Sequence, residues 1–422
     1  MKKSTLFFCT AMLLAAVFSC APKQSVPTTV EPYAEGKPYT RWWWFASEIQ
    51  KEDVKYQLDW LKEQGFGGVE IAWVYPMEGD STVARTKWLS PEWAEPVNYA
   101  KQVADSLGLG CDFTYGTLWP FSSYTLPEKY WTRSFYNKKG EANRNITWEH
   151  PRMAHILNHL DSEAFDYYAA EMNEGLKEAF KGSKSGVFVD SWEVETRQLW
   201  TEGFGEKFYE KFGYKIEPLM DKLYDKGYED VYYDYMTLMS DYVLYEFYKP
   251  FTDNAHSQGA FARSQCGGAP ADLLTAFMIV DVPETEAILY EPNYGRIPAS
   301  AAALAGKDVV TSETFTCLYG WKRWGGKGPY QEQEQVADMR LVADALFANG
   351  TNQIIWHGTP FIGKNQTKAE QDEIKRRNEN EKKAELEKKV AFSFWETDRR
   401  SRATCSFESE RMASKISLCF SL

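Results

Sequence analysis

The stretch SEAFDYYAAEMNEGLKEAFKGSKSGVFVDSWEVE, residues 162–195, decides how the chain is read. Its first part repeats apolar residues at helical spacing, and a short glycine- and serine-bearing turn ends that pattern. Val187, Phe188 and Val189 then form the continuous apolar run of a strand covered on both faces. Within six residues the dry strand gives way to Asp190, Glu193 and Glu195, with Trp192 among them. A helix feeding a buried strand that ends in acids is one unit of an alternating α/β fold.

Working outward, the same alternation recurs on both sides. Strand-like segments lie at 39–46, 67–74, 109–117, 186–195, 260–268, 279–286, 308–316 and 352–361, separated by helical stretches. Eight βα repeats predict a closed (β/α)8 TIM barrel, an α/β fold, over residues 39–361. Insertions are expected at 118–160 and in a long helical region at 203–258. Residues 362–422 open on a charge-dense run with little to bury, expected to be a disordered or extra-helical C-terminal tail outside the barrel.

The first nineteen residues read as a signal peptide. Lys2 and Lys3 precede an apolar run of 13 residues, too short to span a bilayer comfortably. VFSC at 17–20 resembles the lipobox of bacterial lipoproteins, which implies acylation of Cys20 and a lipid anchor to the membrane. Residues 20–38, rich in Pro and Thr, are expected to be a linker. The chain is therefore expected to be exported and held at a bacterial membrane, in the periplasm or at the cell surface.

Composition narrows the partners. Lys and Arg number 48 against 60 Asp and Glu, a formal charge of −12 that argues against nucleic acid. Aromatic residues reach 16%, and their flat faces suit sugar rings as well as core packing. No CxxC or HExxH spacing marks a zinc site, and no GxSxG or phosphate-loop pattern appears.

In a TIM barrel, the C-terminal strand ends converge on one mouth. The fourth strand ends at Asp190, Trp192, Glu193 and Glu195, and the sixth carries Asp281, Glu284 and Glu286. The seventh ends at Glu313, and the eighth carries Trp356 and His357. The first bears Trp42, Trp43 and Trp44, which cannot all face inward because neighbouring strand residues point opposite ways; Trp43 or Trp44 is expected to meet the sugar. Asp112 and Tyr115 are rim candidates on the third strand, and Arg41 either meets ligand or pairs with a buried carboxylate. One carboxylate after a strand commonly caps the next helix. Acids at three neighbouring strand ends, beside aromatics, point instead to glycoside hydrolysis, which needs a proton donor and a second carboxylate. A glycan-binding surface lipoprotein without catalysis, or a barrel isomerase or lyase, would share much of this pattern.

RWWWFASEIQKEDVKYQLDWLKEQGFGGVEIAWVYP, VFVDSWEVE, DVPETE, VVTSETFT and IIWHGTPF together resemble the catalytic barrel of glycoside hydrolase family 106, the α-L-rhamnosidases. The resemblance implies an inverting enzyme acting on α-L-rhamnosides of plant polysaccharide such as pectin side chains, with calcium as cofactor. It implies Glu193 as acid and Glu286 as base, with Glu284 the competing choice for base and Glu313 a further active-site glutamate that positions sugar or water. It assigns no calcium ligands. Inversion requires the acid and base carboxyls to stand about 6.5–9.5 Å apart. Relatives commonly carry further β-rich domains after the barrel, so a shortened, inactive binding remnant is the alternative reading.

Overall fold

The structure, a computed structural model, describes residues 36–44, 49–73, 86–116, 120–123, 126–136, 155–194, 196–287, 292–315 and 334–361. The signal and tail expectations, residues 20–35 of the expected linker with Cys20, and Glu195 lie outside the described residues. All described residues belong to one unit, Met1–Ile362.

Eight parallel strands close a barrel. In chain order they are β1 (Tyr39–Trp44), β2 (Gly68–Trp73), β3 (Gly110–Thr114), β4 (Gly186–Val189), β5 (Phe261–Ser264), β6 (Val282–Ala287), β7 (Thr311–Thr314) and β8 (Gln353–Pro360). Each pairs with its sequence neighbour, and β1 closes the ring against β8, with Tyr39 opposite Ile355. The α/β barrel expected from the alternation is the one observed. Most strands begin and end within a few residues of the sequence reading. The sixth is displaced, because residues up to Ile279 stay helical and Asp281 stands before the strand.

Side-chain alternation sorts each strand into two faces. On β1, Tyr39, Arg41 and Trp43 point into the barrel, while Trp42 and Trp44 point out to the helices. Tyr39 meets Phe261, Val282, Val309 and Ile355 in a buried apolar plug. Trp42 and Trp44 pack on Phe361, and Trp42 Nε1 donates to Gln57 Oε1 of the first helix at 2.9 Å. Full burial of such rings contributes at least about 2 kcal/mol each from area alone.

The surrounding helices are α1 (Lys51–Glu63), α2 (Pro91–Leu107), α3 (Ser162–Leu176), α4 (Phe204–Phe212), α5 (Glu229–Tyr242), α6 (Lys249–Ser257), α7 (Leu273–Ile279), α8 (Arg296–Ala305) and α9 (Val336–Ala348). Helix α1 buries Val54, Leu58 and Leu61 on one face, the i, i+4, i+7 stripe of a helix lying on a sheet. Helix α2 starts at Ser90, whose hydroxyl accepts from Trp93 N–H, with Pro91 at its first position. Gly108, at φ 70°, ends it.

The expected long helical region divides into α4, α5 and α6, with a π-helical turn (Val243–Tyr248) joining the last two. Pro250, in the first turn of α6, has no N–H for the Glu246 carbonyl four residues back, and the wider turn absorbs that mismatch. The expected insertion after β3 contains two-residue strands. Ser122–Ser123 pairs with His155–Ile156, and Arg133–Ser134 pairs with Leu199–Trp200. The second pairing ties the loop after β3 to the loop after β4.

Candidate active site

A layer of charge fills the barrel above the apolar plug. Arg41 from β1 and Arg263 from β5 meet at Glu70 of β2: Arg41 Nε donates to Glu70 Oε1 at 3.0 Å, and Arg263 Nη2 pairs with Oε2. Arg263 Nη1 pairs with Glu284 of β6, which also accepts from Thr311 Oγ1 at 2.7 Å. The Phe188 ring lies 4.4 Å from the Arg41 guanidinium and 4.5 Å from that of Arg263. Glu70 and Glu284 are both inaccessible to solvent. Burial pushes each carboxyl up; at Glu70 the two arginines outweigh it and hold the group below the ordinary range, whereas at Glu284 burial prevails.

One layer higher is the mouth. Glu286 of β6 and Glu313 of β7 are register partners on neighbouring strands. Arg41 Nη1 donates to Glu313 Oε2 at 2.8 Å, Gln265 Nε2 donates to the same oxygen at 2.5 Å, and His357 Nε2 lies 3.7 Å from Oε1. Asp190, past the end of β4, stands 3.6 Å from Arg41 Nη1. Among the described residues no Lys or Arg makes an ion pair with Glu286. Burial, then Glu313, Asp190 and Glu193, push Glu286 up to about 9, so it holds a proton at neutral pH. Burial, then Glu313, raise Asp190 to about 6. Burial also raises Glu313, opposed first by Arg41. His357 is pushed down to about 4 by burial and by Arg41, and is neutral.

Glu193 is exposed on the loop after β4, and its charge acts on Glu286 across the mouth. That loop is held by Trp192 N–H, which donates to Gly267 O at 2.8 Å. Gly268 has φ 77°, and a Cβ there would lie 3.1 Å from Trp192 O, so the adjoining turn needs glycine. Trp192 packs on buried His159 with ring centroids 4.7 Å apart. With Phe121, Phe247 and Glu193 they line a narrow, partly open cleft. His159 is pushed down to about 4 by burial and stays neutral.

The structure thus brings Glu193, Glu286, Glu313, Asp190, Trp192 and His357 together. Trp43 joins them, its indole donating to His357 O at 2.9 Å. Trp44 does not: strand parity turns it outward against Trp42 and Trp73. Asp112 is not at the rim. It lies inside the barrel with no exposed surface and accepts from Gly186 N–H at 2.7 Å. Tyr115 is buried at the inner end of the cleft beside Trp192, its hydroxyl bonded to Asn173 and Asn254. Glu284 is sealed in the charge layer below the mouth. Asp281 lies before β6, against His256, and Trp356 faces outward onto Phe66 and Phe315. Arg41 pairs with carboxylates, as one of its two readings had it.

Sequence reasoning missed Glu70, Arg263, Gln265 and His159. Glu70 interrupts the apolar strand GVEIAW, and Arg263 interrupts FARS. A charge in the middle of a buried strand was the available signal. Backbone strain marks the same mouth: Cys266 after β5 and Phe315 after β7 take positive φ of 46° and 74° without being glycine.

For calcium, the described residues offer no group of three or more His, Cys, Asp or Glu side chains placed to hold a metal ion.

The model of the alpha-L-rhamnosidase family, glycoside hydrolase family 106, matches residues 30–121 and 123–366, which include every barrel strand. The chain belongs to this family. Among solved structures, the family-106 barrel described above is similar to a rhamnosidase from Novosphingobium sp. PP1Y, with TM-score 0.62 at 12% identity over 79% of this chain and 56% of that one. The chain therefore spans little more than half the length of that rhamnosidase. The catalytic domain of a β-amylase from Paenibacillus polymyxa matches with TM-score 0.47 at 10% identity, over 76% of this chain and 93% of that one. At such identities the rhamnosidase likeness speaks to the fold, and no curated protein matches.

Proposed function

We propose that the chain is a glycoside hydrolase that cleaves α-L-rhamnosides by a single displacement with inversion. One observation carries this reading: acids from the ends of β4, β6 and β7 meet at one mouth, in a family-106 barrel. Glu193, on the exposed side, would protonate the leaving oxygen. Glu286 and Glu313 form the opposite, buried side, where water would be activated. Neighbouring carboxyls cannot both ionise cheaply, so the pair shares a proton. Arg41 and Gln265 favour the carboxylate at Glu313, and Glu286 keeps the proton. The geometry therefore equips Glu313 as base and Glu286 as its protonated partner, exchanging the two roles that the family resemblance implies. Trp192, half-buried beside Glu193, would offer an apolar face to the methyl-bearing side of a 6-deoxy sugar.

Kinetics on purified protein test the assignment. Glu193→Gln is expected to lose about 10²–10⁴-fold in kcat on a natural rhamnoside and far less on an aryl rhamnoside with a good leaving group. Glu313→Gln is expected to lose that much on both. NMR of the first-formed sugar should show the inverted anomer. Sugar binding without turnover by the wild-type protein would replace this proposal with a glycan-binding role.

The proposed substrate is a rhamnose-bearing plant polysaccharide such as a pectin side chain, met outside the cytoplasm by a protein anchored through lipid on Cys20. Labelled palmitate should enter the wild-type protein and not Cys20→Ser; equal labelling of both would remove the anchor.

A further inference from the structure

Every strand but β7, which carries Glu313 itself, places a charged or polar group in the barrel beneath or beside the Glu286–Glu313 pair. They are Arg41 on β1, Glu70 on β2, Asp112 on β3, Asp190 and Glu193 after β4, Arg263 with Gln265 at β5, Glu284 on β6 and His357 on β8. Carboxyls outnumber guanidiniums, so where each guanidinium points decides which acid is ionised. Arg41 has a choice of neighbours, since its nitrogens lie within 4 Å of Glu70, Asp190, Glu284 and Glu313.

Glu70 removes that choice. Its Oε1 takes Arg41 Nε at 3.0 Å and the hydroxyl of Thr114 at 2.5 Å, while its Oε2 takes Arg263. With Nε fixed, the planar guanidinium presents Nη1 upward, where it donates to Glu313 at 2.8 Å and stands farther, 3.6 Å, from Asp190. We propose that Glu70 is a positioning residue for the reaction: buried beneath the mouth and touching no substrate, it aims Arg41 at Glu313 and so makes Glu313, not Glu286, the ionised carboxylate.

This inference rests on the glycosidase reading, and the test separates the two. Glu70→Gln keeps the shape and removes the charge. With its Nε no longer held by a carboxylate, Arg41 is free to turn toward Asp190 and Glu284, and Glu313 loses its cation. The acidic limb of the kcat/KM–pH profile, reporting deprotonation of Glu313, is expected to move about one unit to higher pH, and a move to lower pH, the effect of deleting a negative charge alone, would overturn the proposal. KM should change much less than kcat. Infrared titration of protein carrying ¹³C-labelled glutamate should show the same displacement, and this readout survives even if the wild-type protein hydrolyses nothing. A fall in Tm with both pH profiles unmoved would overturn the proposal and leave Glu70 a structural ion pair. Should Glu70→Gln fail to fold, Thr114→Val, which removes one donor from Glu70, is expected to move the titration in the same direction by a smaller amount. An unmoved titration there would overturn it equally.

Discussion

Glu286 sits where a carboxylate is poorly tolerated: half a barrel of acids surrounds it, and Arg41 is turned toward its neighbour Glu313. Its proton affinity, raised to about 9 in the folded protein, exceeds that of the unfolded chain, so folding takes up a proton between the two values. The group therefore favours the fold most at low pH, and this contribution fades as pH climbs from the ordinary carboxylate range toward 9. Glu286→Gln, permanently neutral, is expected to flatten the fall of Tm between pH 5 and pH 9, leaving the variant more stable than wild type at the alkaline end. Thermal melts across that range check it. At this scale the sequence showed those acids that follow a dry strand. It concealed the ones inside the strands, because Glu70 and Arg263 look out of place until the opposite wall supplies their partners. Parity alone separates Trp43 from Trp44, and the register that fixes parity is set by pairing across the barrel.

Among the elements, β8 shows how a strand shapes the mouth. Its pairing with β1 shifts register between Thr40 and Trp42, placing an extra residue on β8 beside the Trp43 indole. Gly358 occupies this stretch, and a Cβ added there would lie 1.6 Å from Trp43 Nε1. Gly358→Ala is expected to expel the indole from its bond to His357 O and weaken substrate binding, costing about 1–3 kcal/mol in stability as overpacking does. Trp fluorescence and denaturant melts would register both, and unchanged emission would count against this placement. The barrel strands were legible because each is a dry run between helical repeats. The two-residue strands at Ser122–Ser123 and Arg133–Ser134 were not, since they follow from contacts between distant loops and have no period of their own. Neither was the π-helical turn ahead of Pro250, whose hydrogen bonds differ from those of an α-helix by one residue.

For the molecule as a whole, two arginines hold together walls that would otherwise repel. Arg263→Met keeps much of the volume but leaves buried Glu70 and Glu284 only the Arg41 guanidinium, which they share with Glu313, expected to cost about 3–5 kcal/mol. Chemical denaturation should show that loss, and lowering the pH should restore part of it as the orphaned acids take up protons.

Closure carries a cost in time. The seam joining Tyr39 to Ile355 links residues more than 300 positions apart, so a ribosome must deliver almost the entire barrel before that last ladder can zip. Until then the nascent chain displays an unpaired edge bearing three tryptophans and an arginine that has yet to meet Glu313. Synthesis of this protein should lean on holding factors that shield such an edge, more than a fold of equal size built from local contacts would.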